Sequence, residues 1–160
     1  MTKIAFGGGC HWCTEAVFQS LIGVSSVDQG FVASIGEESS FSEAVIVHFN
    51  PKEIPLNVLT EIHLLTHKST SNHSMRKKYR SAVYVFSEEQ YQDINLILMD
   101  LQRQFNLPII TKTLFFEDFK PSEEAFVNYY YSNPEKPFCK TFITPKLQYL
   151  LKAFSGYVKS

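Results

Sequence analysis

The sequence has no apolar run approaching the roughly 18 residues of a membrane-spanning helix. It has no excess of charge either, with 15 Lys and Arg against 16 Asp and Glu and a net charge of -1. A chain so balanced is not expected to bind nucleic acid or a lipid surface through a broad face. Internal repeats, low-complexity segments and Ser/Gly-rich linkers are absent. The 160 residues are therefore expected to form one domain, with 133–160 as its C-terminal segment, and to be monomeric. Met1 to Gly7 lacks the long apolar segment of a secretory signal, so the expected compartment is the cytoplasm. Cysteine is scarce. Three residues, Cys10, Cys13 and Cys139, cannot make a fully paired disulfide framework, and in a reducing compartment such thiols are catalytic, metal-binding or buried.

What is present is a 44% hydrophobic composition, enough for a core, and a mixture of strand and helix patterns. The opening residues are strand-like, 14–22 read as a helix stopped by Gly23, and 44–49 as a strand with Val45, Val47 and Phe49 on one face. Pro55 opens a helix to about residue 67, and 82–86 is an apolar run suited to a strand buried on both faces. Ser87 and Gln90 have capping-box spacing ahead of a stripe of Tyr91, Ile94, Leu98, Leu101 and Phe105. A strand is expected within 109–116, a helix over 121–131 and another in the last 15 residues or so. Strand and helix do not alternate strictly, so the expected class is α+β.

The chemistry is concentrated in Gly7-Gly8-Gly9-Cys10-His11-Trp12-Cys13-Thr14-Glu15. Glycines let the chain turn tightly and a ligand approach, and they lead Cys10 to a helix N-terminus. Unpaired amides and the helix dipole there favour an anion, so Cys10 is expected to have a lowered pKa and to be the nucleophile. Cys13 follows by about one turn. A C-x-x-C pair serves redox chemistry, structure or metal binding, in that order of expectation here. Zinc needs further ligands, and the i, i+4 pair His63 and His67 is the only helical His pair on offer, so no metal is expected.

The segment Gly7 to Phe18 resembles the active-site segment of the A-type peptide methionine sulfoxide reductases. The resemblance continues through Gly30-Phe31, Ser42-Glu43-Ala44-Val45, Asn50-Pro51, Glu61-Ile62-His63 and Tyr79-Arg80-Ser81-Ala82. It resumes at Phe119-Lys120-Pro121-Ser122-Glu123 and from Asn133-Pro134 to Cys139. It implies a two-layer α/β sandwich with a mixed or antiparallel, ferredoxin-like sheet. It also implies reduction of the S epimer of methionine sulfoxide, free or in proteins, with no bound cofactor and with thioredoxin or a similar dithiol as reductant.

By that resemblance Cys10 is the nucleophile, Glu43 the acid and Tyr79 a donor to the sulfoxide oxygen. Trp12, with His11, walls the substrate methyl group, and Cys139 or Cys13 resolves the sulfenic acid, Cys139 slightly favoured. Glu43 also stands out without the family, because it shares a strand face with Val45, Val47 and Phe49, where desolvation keeps a carboxyl protonated. Two other functions fit the same residues: a general disulfide oxidoreductase built on Cys10 and Cys13, and a non-catalytic module that binds methionine sulfoxide or an acidic peptide.

The chain departs from the family pattern at several places. His11 replaces a Phe, and Ser74 replaces an acidic residue. The stretch before Glu43 that usually supplies a second tyrosine is shortened, leaving Phe41 as the nearest aromatic. His73, Met75, Arg76, Lys77, Lys78 and Arg80 form a basic neighbourhood around Tyr79, read as solvated or as favouring acidic substrates rather than nucleic acid.

Overall fold

The computed structural model describes residues 2–159. Strand β1 (Thr2–Gly7) lies near the centre of a six-stranded sheet, between β3 (Ser42–Phe49) and β4 (Ala82–Val85), and is antiparallel to both. Beyond β3 lie β2 (Val24–Ala33) and, at the edge, β6 (Asp118–Pro121). On the opposite edge β5 (Lys112–Phe115) runs parallel to β4, which makes the sheet mixed, in the order β5-β4-β1-β3-β2-β6. Helix α1 (His11–Gln19) joins β1 to β2, and α2 (Leu56–Leu65) follows β3. The first four strands and two helices thus form a β-α-β-β-α-β unit with order β4-β1-β3-β2, the ferredoxin-like arrangement. A parallel neighbour needs a crossover, supplied by α3 (Glu88–Leu101) between β4 and β5.

Period-two alternation assigns the two faces of the sheet. Ile4, Phe6, Val45, Val47, Phe49, Val83 and Val85 pack against Val17, Phe18 and Leu21 of the α1 region, Leu59 and Ile62 of α2, and Ile94 of α3. Phe6 and Phe18 stack with centroids 4.7 Å apart. The other face carries Ala5, Ala44, Ile46, Ala82 and Tyr84 under Phe86, Leu114, Phe116 and Phe119. After a short α4 (Tyr129–Ser132) the chain makes a π-helical turn at Cys139–Ile143 and ends in α5 (Thr144–Ala153), whose Leu150 joins the main core. Among the described residues no helix is long and apolar enough to cross a membrane.

Several boundaries differ from expectation for physical reasons. Helix α1 begins at His11 rather than Thr14, because the Cys10 carbonyl already accepts from the Cys13 and Thr14 amides. The helix expected over 121–131 does not form. Pro121 instead ends β6, pairing opposite Gly30, where a Cβ would lie 2.3 Å from the Lys120 carbonyl oxygen. A single 3-10 turn (Glu124–Phe126) and α4 follow, separated by Asn128 in the left-handed region (φ 59°). The strand expected within 109–116 contracts to β5. Helix α3 forms as its signals require: Ser87 Oγ accepts from the Gln90 amide at 3.1 Å, and the Gln90 carboxamide accepts from Phe86 N–H at 2.8 Å.

Candidate active site

The glycine run carries the chain from the end of β1 onto the N-terminus of α1. Gly8 has φ 153°, and a Cβ there would sit 2.5 Å from the His67 ring. That ring and its neighbour prop the turn. His63 donates from Nε2 to the Gly7 carbonyl at 2.8 Å, and His67 donates from Nδ1 to the His63 carbonyl while Nε2 accepts from Ser81 Oγ at 2.8 Å. Burial drives both histidines down, His67 to about 4, so both are neutral near pH 7. The helical His pair supports backbone, and no group of three or more His, Cys, Asp or Glu among the described residues forms a metal cluster.

Cys10 is the N-cap residue of α1, half-buried, and Cys13 lies one turn on, 5% exposed. Both line a cavity of about 730 Å³ together with Tyr79, His67, Met75 and Phe138. The two thiols shift one another's titration. The hydrogen bond from Cys10 pulls Cys13 down, whereas that same bond, burial and the charge of its partner push Cys10 up. The lowered pKa expected for Cys10 is thus reversed, because Cys10 meets another thiol and the Glu43 charge as well as the helix amides. Cys139, wholly buried, joins Cys13, Ala16 and Ile143 in one apolar cluster against which Cys10 and Trp12 pack.

Glu43, 6% exposed, projects from β3 on the face of Val45 and Val47. Its Oε1 accepts from the His11 backbone N–H at 3.2 Å and lies 3.5 Å from His11 Nε2, and Oε2 is 3.6 Å from Lys78 Nζ. The His11 ring is buried, with Nδ1 2.8 Å from the Gly30 carbonyl and its edge against Phe31. Tyr79 reaches the cavity because the preceding strand end is stitched to β3. Lys78 O accepts from Glu43 N–H and Ser42 Oγ, and the Arg80 amide donates to Ser42 Oγ. Cys10, Cys13, Glu43, His11 and Tyr79 thus gather around the start of α1.

Trp12 has other company. Its indole stacks on Tyr129 (4.1 Å, 11°), with Phe126 and Phe138 alongside, and its buried Nε1 has no hydrogen-bond partner among the described residues. The basic neighbourhood is largely structural as well. Arg76 donates to the carbonyls of Gly8, Lys68, Ser71 and Tyr79, and buried Arg80 pairs with Glu38 at 2.7 Å. Phe41 and Ser74 are exposed.

Sequence reasoning passed over Glu15. Its carboxyl, wholly buried on α1, accepts from Gln29 Nε2 at 3.0 Å and from the Asn128 and Tyr129 amides at 3.0 and 3.2 Å. Burial raises its pKa against the pull of those donors. The available signal was a carboxylate four residues after His11 on the apolar side of α1, next to Ala16 and Val17; the two amides it accepts from lie more than 110 residues away.

The family model for peptide methionine sulfoxide reductase matches residues 2–156. The chain belongs to the peptide methionine sulfoxide reductase family. A curated relative from Trichodesmium erythraeum, named peptide methionine sulfoxide reductase MsrA, is 32% identical, covering 100% of this chain and 99% of the relative. Among solved structures, reduced Mxr1 from Saccharomyces cerevisiae superposes with a TM-score of 0.77 at 23% identity, covering 88% of this chain and 90% of that one. Mxr1 in complex with Trx2 gives a TM-score of 0.64 at 22% identity, covering 77% and 81%. These structural likenesses support the two-layer α+β fold, and the family match extends across both the site and the segment bearing Cys139.

Proposed function

We infer that the protein reduces methionine-S-sulfoxide, free or in proteins, to methionine, and so repairs oxidised methionine. The observation that carries this reading is the meeting of Cys10, at a helix N-cap and open to a cavity, with a second thiol and the buried Glu43 carboxyl, in a chain of this family.

The Cys10 sulfur supplies an electron pair to the sulfoxide. The oxygen takes a proton from Glu43 and passes to Cys10, which becomes a sulfenic acid as the thioether leaves. Cys10 carries the proton of its hydrogen bond to Cys13 and passes it to that sulfur as it attacks. The Cys13 thiol then attacks the sulfenic acid, forming a disulfide and releasing water. Adjacency favours Cys13 as first resolving thiol over Cys139, which touches the same cluster and acts second. Tyr79, at the cavity wall, donates to the sulfoxide oxygen, and Trp12 with His11 bounds the methyl side once the Tyr129 stack has moved.

A thioredoxin-type dithiol returns the enzyme to its reduced state, in keeping with the yeast relative solved with Trx2. We take the protein to act as one domain and as a monomer, in the cytoplasm, where such a dithiol is available. Mass spectrometry of fully reduced protein mixed with methionine sulfoxide tests the reading. The expected result is loss of two hydrogens and a disulfide that digestion maps to Cys10 with Cys13. An unchanged mass, with sulfoxide bound, would make this a binding module instead.

A further inference from the structure

Residue 11 reaches the Glu43 carboxyl twice, and the two contacts have different origins. The backbone N–H belongs to the helix start and is available to any side chain at that position. The ring contact, Nε2 to Oε1 at 3.5 Å, belongs to histidine alone. The ring is not free to turn away, because Nδ1 is engaged with the Gly30 carbonyl at 2.8 Å and Phe31 packs edge-on against it. With Nδ1–H donating to that carbonyl, Nε2 is directed at the carboxyl in either charge state. A neutral ring presents a lone pair to a protonated Glu43, and an imidazolium presents N–H to the carboxylate.

We propose that His11 is a positioning residue for Glu43, holding one proton jointly with that carboxyl so that Glu43 is reloaded after each transfer to the sulfoxide oxygen. This rests on the reading of Glu43 as the acid. The step balances: Glu43 gives its proton to the oxygen as Cys10 gives its electron pair, and the His11–Glu43 pair, now one proton poorer, regains it from solvent before the next turnover. Charges that face the ring come from every element around it. Glu43 lies on β3 with Lys78 beyond it, Glu15 lies one turn along α1, and the Cys10–Cys13 pair shares the helix start; β2 contributes a carbonyl and an apolar ring.

The test is a double-mutant cycle read through the pH dependence of kcat for methionine sulfoxide. His11→Phe keeps the backbone donor and the Phe31 contact; it is expected to lower kcat about tenfold with KM within about twofold, and to remove one ionisation from the profile. His11→Gln, polar but unable to titrate, loses the same ionisation. On a Glu43→Gln background neither change lowers kcat further. A readout that leaves His11 intact is the NMR signal of its ring, which moves when Glu43→Gln alters the facing carboxyl. Wild-type kcat and profile in His11→Phe, losses that multiply across the cycle, or ring signals indifferent to Glu43→Gln would each overturn the proposal. If Glu43→Gln itself retains wild-type kcat, the acid assignment fails and takes this proposal with it. Loss in Glu43→Gln with no effect of His11→Phe removes the proposal alone.

Discussion

The start of α1 and the segment from Glu123 onward hold their cysteines by different means. Cys10 and Cys13 stand on a helix welded to the sheet: Val17 and Phe18 lie in the main core, and neutral His63 and His67 grip the backbone just before the thiols. Cys139 stands on a segment of short, irregular elements that packs on α1 through Ile143 and on the main core through Leu150. Its other ties include the Glu15 carboxyl on two amides, Tyr129 on Trp12, Lys146 on the Thr66 carbonyl and, near the end, the Tyr157 carbonyl accepting from the Ile22 amide. Its α4 is four residues long, and a π-helical turn carries the cysteine. On the proposed reading, the groups that meet the sulfoxide in one geometry are on the stiff element. The thiol proposed to take part later is on the more irregular one.

The largest effect expected from breaking this contrast is on the stiff side. Glu43→Gln, with its neighbours unchanged, should lower kcat by about 10²- to 10⁴-fold in single-turnover methionine release while leaving thiol content intact. Next comes the histidine prop. His67 has a folded pKa of about 4 against an ordinary 6.5, so between those values the unfolded chain binds more protons and stability falls as the pH falls. Denaturant melts from pH 7 to pH 4 should show a loss of up to about 3 kcal/mol attributable to His67, with His63 adding in the same direction, and His67→Gln should flatten the slope.

The loose side should respond differently. Glu15→Ala removes the acceptor for three donors and is expected to cost about 1–3 kcal/mol, expressed locally. Thiol labelling should become faster at Cys139 and unchanged at Cys10; equal acceleration at both would mean that the segment is no separate unit. Smallest is Tyr79→Phe, which removes one neutral donor to the oxygen and should reduce kcat/KM about tenfold in steady-state assays.

How much of this was legible beforehand follows the same division. Glu43, Val45, Val47 and Phe49 announce their shared face through strand alternation, and the glycine run with its cysteine announces the helix start, because both depend on neighbours a few residues apart. The α+β class follows from the same local signals, whereas the mixed or antiparallel sheet was implied by the family resemblance alone. Strand β2 escaped because Ser25, Ser26, Asp28 and Gln29 interrupt its apolar pattern, and β6 because its identity as a strand depends on the open edge at Gly30. The Asn128 and Tyr129 amides that bind Glu15 and the Tyr129 ring that stacks on Trp12 lie more than 110 residues away, and no local pattern encodes them. His63 and His67 carried a helical spacing suited to a metal, and only the fold shows that three of their four ring nitrogens are engaged by Gly7, His63 and Ser81. The opposite shifts of the Cys10 and Cys13 thiols likewise depend on how the side chains meet, and the spacing supplies proximity alone.

The most direct measurement is the yield of methionine from a stoichiometric mixture of reduced enzyme and methionine-S-sulfoxide, wild type beside Cys10→Ser. About one equivalent of methionine per wild-type chain, and none from the serine variant though it stays folded and keeps both other thiols, is the result expected. Equal yields from the two proteins would contradict the assignment of Cys10 as the sulfur that accepts the oxygen.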